Sequence, residues 1–440
     1  MGSSVRDVAA PTGALGGGVS PSGPGCPTRP AHHAGRVRPG RPAVIVGGPA
    51  YRRGMRLLHT SDWHIGRTLH GTDLLAEQEA VLSGLAAVVA AERVDLVVVA
   101  GDVYDRAVPS ADATAVLDRV VGRLLAAGAQ VVLTPGNHDS ARRLGTFSGL
   151  LTAAGLHVRA ATPALDEPVL LSDEHGEVAV YGIPYLEPEV ARHELGLAGR
   201  GEPASRGHEG VLTAAMERIR GDLFLRPGVR SVVLAHAFVG GGVPTESERD
   251  ICVGGVDLVP AGVFDGVDYV ALGHLHRPQT LSPRLRYSGS PLAYSFGEAG
   301  QQKQAWLVEL GADGLGEVTP VPLPAPRQLS VLTGELADLL AAPEHAPAEQ
   351  HFVSARLTDA VRPADPMRQL RERFPHCVHL EWAGSGAVAD GRSYQERLRG
   401  RSDLEVAEAF VDHVRGAGAV DAERELLARA LTAAAREDAA

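Results

Sequence analysis

Leu96-Val97-Val98-Val99-Ala100-Gly101-Asp102-Val103-Tyr104-Asp105-Arg106 opens as an apolar, β-branched run and closes on Gly-Asp followed by polar residues. A short run of this kind, bounded by glycine, reads as a strand buried on both faces. Asp102 then sits just past the strand's C-terminal end, the edge of an open α/β sheet where ligands bind. Four further apolar runs end the same way. Arg56 to Ser61 leads into Asp62-Trp63-His64, and Gln130 to Thr134 into Pro135-Gly136-Asn137-His138-Asp139. Ser231 to Ala235 leads to His236, and Asp268 to Leu272 to Gly273-His274-Leu275-His276.

Helical patterns separate these runs. Asp73 to Glu92 has apolar residues near helical spacing, and Asp112 to Ala127 ends at Gly128, a natural C-cap. Gly210 to Gly221 also reads as helix. Val178 to Ile183 is a further strand, and Arg286 to Ser290 and Ala305 to Leu310 read as closing strands. The alternation predicts a layered α/β domain over residues 55–323. Pro320 to Pro326 holds four prolines in seven residues, which predicts a stiff linker and the domain boundary. Residues 327–391 mix signals: Glu335 to Leu340 helical, His351 to Leu357 and Cys377 to Trp382 extended. They predict a small α+β module followed by a flexible joint at Ala383 to Gly391. Within residues 392–440, Asp403 to Val414 and Asp421 to Arg436 predict a helical hairpin for docking a partner. Residues 1–54 are rich in Gly, Pro, Ala and Arg without a sustained period, and read as a disordered extension. Met55 is the expected first structured residue, or the true start.

Composition narrows the class. The 440-residue chain is 44% hydrophobic, so it can bury a large core, but it has no apolar run long enough for a membrane helix. Its three cysteines are too scattered for a disulfide framework or a zinc cluster, so a reducing, cytoplasmic setting is expected. A net charge of −11 argues against a generally basic nucleic-acid binder. It leaves room for a local basic groove, or for metals that offset phosphate charge.

Taken singly, each strand-end residue has an ordinary explanation. A lone Asp after a strand is usually a helix N-cap, Asn after Gly a turn residue, and a lone His a surface or core group. Taken together those explanations fail, because residues far apart in sequence occupy one structural slot. Asp62, His64, Asp102, Asn137, His236, His274 and His276 offer imidazole, carboxylate and one amide oxygen, with no thiolate. That set suits Mn, Fe or Zn and is too rich in nitrogen for Ca. Two metals close together need one shared carboxylate, and Asp102 is the natural bridge. Such a pair can activate water and neutralise charge on a phosphodiester oxygen. His138 lies between Asn137 and Asp139. A histidine held by an aspartate can orient and protonate a leaving oxygen, so His138 with Asp139 is read as catalytic rather than as a ligand.

Asp-x-His, Gly-Asp, Gly-Asn-His-Asp, a lone His after a strand and Gly-His-x-His together resemble the calcineurin-like metallophosphoesterases. More narrowly, His59-Thr60-Ser61-Asp62-Trp63-His64-Ile65-Gly66, Gly101-Asp102-Val103-Tyr104-Asp105, Thr134-Pro135-Gly136-Asn137-His138-Asp139-Ser140 and Gly273-His274-Leu275-His276-Arg277-Pro278-Gln279 are similar to the SbcD family. These are bacterial nuclease subunits that work with an SbcC-type ATPase. The resemblance implies a layered metallophosphoesterase sandwich with a small α+β capping domain and a C-terminal helical hairpin. It implies a manganese-dependent DNA nuclease, exonuclease on double strands and endonuclease on single strands and hairpins, in repair, recombination and replication. It implies one metal on Asp62, His64, Asp102 and His276, and the other on Asp102, Asn137, His236 and His274. It also implies a homodimer within a heterotetramer. The alternative is another binuclear-metal phosphoesterase, a cyclic-nucleotide phosphodiesterase or a protein phosphatase, which would share fold and site chemistry. No Walker motif is present, so any ATP dependence comes from the partner.

Overall fold

The computed structural model describes residues 54–197, 207–248, 258–383, 401–415 and 417–437. The expectations for residues 1–53 and for most of the joint at 383–391 lie outside the described residues. In chain order the strands are β1 (Met55–Thr60), β2 (Thr68–Leu69), β3 (Thr72–Asp73), β4 (Leu96–Ala100), β5 (Gln130–Thr134) and β6 (Leu156–Val158). There follow β7 (Val169–Asp173), β8 (Gly176–Gly182), β9 (Arg230–His236), β10 (Tyr269–Gly273), β11 (Gln279–Ser282) and β12 (Leu285–Tyr287). Last come β13 (Gln304–Gly311), β14 (Gly314–Pro322), β15 (Leu329–Gly334), β16 (Phe352–Leu357) and β17 (Cys377–Trp382). The helices are α1 (Leu75–Glu92), α2 (Ala111–Ala126), α3 (Ala141–Leu144), α4 (Ser148–Leu151) and α5 (Pro188–Glu194). They continue with α6 (His208–Phe224), α7 (Leu336–Ala341), α8 (Pro366–Arg373), α9 (Asp403–Arg415) and α10 (Asp421–Glu437).

β4 is buried on both faces, as its sequence predicts. It lies in a six-stranded sheet ordered β14-β13-β1-β4-β5-β6. β1, β4, β5 and β6 run parallel, while β13 is antiparallel to both of its neighbours, β1 and β14. A second sheet is ordered β11-β12-β10-β9-β8-β7, parallel from β12 to β8. Alternate strand residues point to opposite faces. Leu96, Val98 and Ala100 therefore meet Val180, Val232, Leu234 and Ala271 in a core between the sheets. Val97 and Val99 pack outward with Leu82, Leu85, Val120 and Leu124 of α1 and α2. On the far side Tyr181, Val233 and Leu272 pack with Val211, Ala215 and Ile219 of α6. The result is a helix–sheet–sheet–helix sandwich whose parallel strands all end on one edge.

Helix ends follow local chemistry. The Ser110 side chain accepts from the Ala113 amide and starts α2, and Gly128, at φ 104°, lies just past its C-cap. α1 begins two residues later than predicted, because Asp73 belongs to the β2–β3 hairpin and its carboxylate accepts from Leu75 N.

Two boundaries differ from expectation. The proline-rich stretch begins as strand: Pro320 and Pro322 pair with Trp306 and Gln304 in β14. β14 is an edge strand, so the missing N–H of proline costs no ladder bond. The predicted strand at 286–290 is shorter, and Ser288 to Ser290 turn away through Gly289 at φ 75°.

Beyond β14, three parallel strands, β15-β16-β17, pack with α7 and α8 around Leu336, Leu339, Val353, Ala355, Leu370 and Phe374. β15 and α8 were not read from the sequence. α9 and α10 form the predicted hairpin, held by Arg415–Glu423 and Arg424–Glu408 ion pairs at 2.7 and 2.6 Å. Among the described residues no helix is long and apolar enough to cross a membrane.

Candidate metal centre

Because β1, β4 and β5 of one sheet and β9 and β10 of the other end on the same edge, their trailing residues converge. The approach is close enough to require glycine. A Cβ on Gly136 would overlap Asp102, and one on Gly273 would overlap the Ala100 carbonyl. Asp62, His64 and Asp102 take φ of 53°, 45° and 48°, and His274 takes 107°. Left-handed conformations cost non-glycine residues about 1–3 kcal/mol each and cluster at functional sites.

Asp102 lies at the centre. Its Oδ2 is 3.4 Å from both His64 Nε2 and His236 Nε2. Its Oδ1 accepts the His138 amide at 2.9 Å. On one side, His64 Nε2 is 3.0 Å from His276 Nε2, and Asp62, His64 and His276 form one converging group. On the other, His236 Nε2 meets Asn137 Oδ1 at 2.9 Å, and Asp62, Asp102 and His236 form a second. His64, Asp102 and His138 make a third, so geometry alone admits His138 as a ligand. His274 stands in none of these three groups. Its ring lies edge-on to His236, with centroids 5.3 Å apart, and its amide donates to Asp62 Oδ1 at 2.9 Å.

The donor set fits divalent metals. Asp62 and Asp102 are both buried, which is costly for neighbouring carboxylates without a cation. Burial pushes the Asp62 carboxyl up to about 7, and the charge of Asp102 adds to this. Burial works the same way at Asp102, but His236 and His64 outweigh it and hold that carboxyl well below its usual range. His236 is raised to about 9, against its own burial, chiefly by Asp102. Burial lowers His64, His274 and His276, the second to about 3, and so keeps these imidazoles neutral, the form that binds metal. His64 and His276 bring two ring nitrogens face to face, and Asn137 Nδ2 is buried without a hydrogen-bond partner. A cation between the two ring nitrogens would resolve their contact, since each could then offer a lone pair; the Asn137 NH₂ is a donor and a cation does not satisfy it.

The sequence brackets His138 between Asn137 and Asp139, but its ring is held elsewhere. His138 Nδ1 pairs with the main-chain carbonyl of Asp105 at 2.8 Å and lies 4.0 Å from the Asp105 carboxylate. Asp139 turns both carboxylate oxygens to backbone amides: Oδ2 accepts from Val103 and Gly136, Oδ1 from Tyr104, all at 2.9 Å. It clamps the Asp102 loop to the Asn137 loop, and Asp105 holds the histidine.

Sequence reading also missed the groups that orient the candidate ligands. Gln78 on α1 donates to the His64 carbonyl at 2.7 Å and accepts from Gly66 N at 2.9 Å. Ser61 donates to Asp62 at 2.5 Å. Ser247 Oγ meets His276 Nδ1 at 2.5 Å, and Glu248 accepts the His276 amide at 2.6 Å. Ser61 adjoins a candidate ligand in sequence and could have been suspected. Gln78, Ser247 and Glu248 carry no local signal, since only the fold brings them in.

Comparison with known proteins agrees with this arrangement. A family model described as calcineurin-like phosphoesterase matches residues 55–278. A second, SbcD_C, described as type 5 capsule protein repressor C-terminal domain, matches residues 325–415. Among solved structures, the chain is similar to a Thermus thermophilus protein, TT1561, at 14% identity and a TM-score of 0.34, covering 61% of this chain and 99% of that one. It is similar to a dimetal phosphatase from Danio rerio at 15% identity and a TM-score of 0.36, covering 62% and 100%. GAP50 of Plasmodium matches at 12% identity and a TM-score of 0.33, covering 62% and 90%. The two family models carry the assignment, and by the first of them, which spans half of its length, this chain belongs to the calcineurin-like phosphoesterase family.

Proposed function

We propose that the chain is a metal-dependent DNA nuclease subunit of the SbcD type, exonuclease on double strands and endonuclease on single strands and hairpins. In this reading it works with an SbcC-type ATPase in repair, recombination and replication. The observation that carries the reading is the SbcD_C match at residues 325–415, appended to a phosphoesterase site. A hydrolase of small phosphoesters has no need of that module.

Asp62, His64, Asp102 and His276 are proposed to hold one divalent ion, and Asp102, Asn137, His236 and His274 the other, with manganese as the metal. Bound there, the ions would supply an activated water and positive charge facing a phosphodiester oxygen. The chain's own residues do the rest. With Nδ1 of His138 occupied by the Asp105 carbonyl, Nε2 is the nitrogen left to pass a proton to the leaving oxygen. Asp139 keeps that loop registered on Asp102 through its backbone bonds. Exposed Phe147 and Leu150, at the start of α4 just past this loop, support a homodimer interface. Exposed Phe410 and Leu426 on α9 and α10 support docking of the ATPase.

The test is a side-by-side assay of the full chain with Mn²⁺ on single-stranded DNA, a cyclic nucleotide and a phosphoprotein. Shortened DNA with the other two intact is expected. Turnover of the cyclic nucleotide or the phosphoprotein beside intact DNA would overturn the reading.

A further inference from the structure

Lys303 is the only lysine in a chain whose lysines and arginines number 42. It is also buried, at 3% exposure. A sequence that uses arginine at every other such position keeps lysine here, and the geometry gives a reason. The three N–H groups of Nζ face three acceptors: the His276 main-chain carbonyl at 2.9 Å, Ser290 Oγ at 3.1 Å and Glu298 Oε2 at 2.5 Å. Glu298 is itself fully buried, and its other oxygen accepts from Tyr294 N and Ser295 Oγ at 3.3 and 3.2 Å. Acceptors converging on one point suit a compact ammonium. A guanidinium is larger, planar and presents its donors in a fork.

The His276 carbonyl is the contact that reaches the site. His276 is held at its amide by Glu248 and at Nδ1 by Ser247, and its Nε2 faces His64 at 3.0 Å. Its carbonyl also accepts the Ser290 amide at 3.1 Å. His276 follows β10 of the second sheet, whereas His64 follows β1 of the first. Lys303 immediately precedes β13, the antiparallel neighbour of β1. It therefore fixes a group carried by one sheet against a group carried by the other, across their shared edge.

We propose that Lys303, charge-balanced by Glu298, is a positioning residue that sets the His276 imidazole against His64 and so shapes one of the two metal positions. The proposal rests on the metal-centre reading above. Outer residues that orient metal ligands typically contribute about ten- to a hundredfold to affinity.

The experiment is calorimetric titration of Mn²⁺ into wild type, Lys303→Arg and the double variant Lys303→Met/Glu298→Gln, with a thermal melt of each. Removing one partner of a buried pair strands the other charge, whereas removing both does not, so the double variant is the one expected to fold. Lys303→Arg keeps a charge opposite Glu298 and gives an independent comparison. Wild type should bind two ions. Both variants should bind one of the two about ten- to a hundredfold more weakly, with arginine giving no rescue. Wild-type affinity at both positions in either folded variant would show the pair to be structural only. Wild type that takes up no Mn²⁺ would overturn the metal-centre reading, and this proposal with it.

Discussion

One oxygen of the Asp102 carboxylate accepts the backbone N–H of His138 at 2.9 Å, while the other faces the metal-site imidazoles. The loop that carries His138, the proposed acid–base group, is thus registered on the group that both ions would share. The linkage runs one way in its consequences. A change at Asp102 disturbs metal and His138 together, whereas a change in the His138 ring leaves Asp102 bonded to an unchanged backbone amide.

His138→Gln and His138→Ala are therefore expected to retain both metals and lose about a hundredfold to ten-thousandfold in the rate of DNA cleavage, the usual contribution of a general acid. Elemental analysis beside a single-turnover assay checks this. Loss of one metal in these variants would make His138 a ligand, a role its grouping with His64 and Asp102 permits sterically.

Asp139→Asn separates a loop-clamping role, which its backbone bonds support, from the catalytic role expected from its place beside His138. Asparagine keeps one acceptor and turns an NH₂ toward amides that need an oxygen. A loss of about 1–3 kcal/mol in stability is expected from unsatisfied donors, read by urea denaturation. Full stability with abolished cleavage would return Asp139 to the catalytic set.

Arg230 spans the two sheets. It donates to Asp173 on β7 and to the Leu310 and Gly311 carbonyls at the end of β13. Its side chain and that of Asp173 are 4% and 2% exposed. Burial alone would raise the Asp173 carboxyl, but the bonds from Arg230 prevail and hold it below its ordinary 3.8. The pair's contribution is then complete above pH 3.8 and is lost as pH falls through the lower folded value. Arg230→Met should cost about 3–5 kcal/mol at pH 7, because it leaves a buried carboxylate unpaired. On acidification the gap from wild type should narrow, since that carboxylate protonates readily. Urea denaturation at several pH values checks both points, and a gap that stays constant into acid would contradict them.

The α9–α10 hairpin carries the partner prediction. A chain ending at Arg392 should still cleave single-stranded DNA with Mn²⁺. It should no longer co-purify with an SbcC-type ATPase, nor support ATP-dependent processing of duplex ends. Co-purification at full stoichiometry would remove the hairpin from the docking surface.

Much of this is legible in the sequence. β4, β5, β9 and β10 announce themselves because strands buried on both faces need unbroken β-branched runs, and the residues that follow them inherit a common edge. What escaped depends on distant pairing. β14 hides behind its prolines because only an edge position tolerates them. Ser247 and Glu248 reach His276 from 29 and 28 residues away, and Lys303 reaches it from 27. Nothing in the local sequence of any of them points to a histidine. Asp105 lies within the Gly101-Asp102 motif, yet adjacency in sequence favours Asp139 as the partner of His138. The turn at Asn137-His138 sends the two side chains to different neighbours.

The claim on which the rest depends is that Asp102 is shared by two metal ions. Elemental analysis of wild type and Asp102→Asn, both purified in Mn²⁺ and dialysed together, tests it most directly. Two ions per wild-type chain and fewer than one in the variant, with DNA cleavage lost, is the predicted result. Two ions per chain in the variant would contradict it.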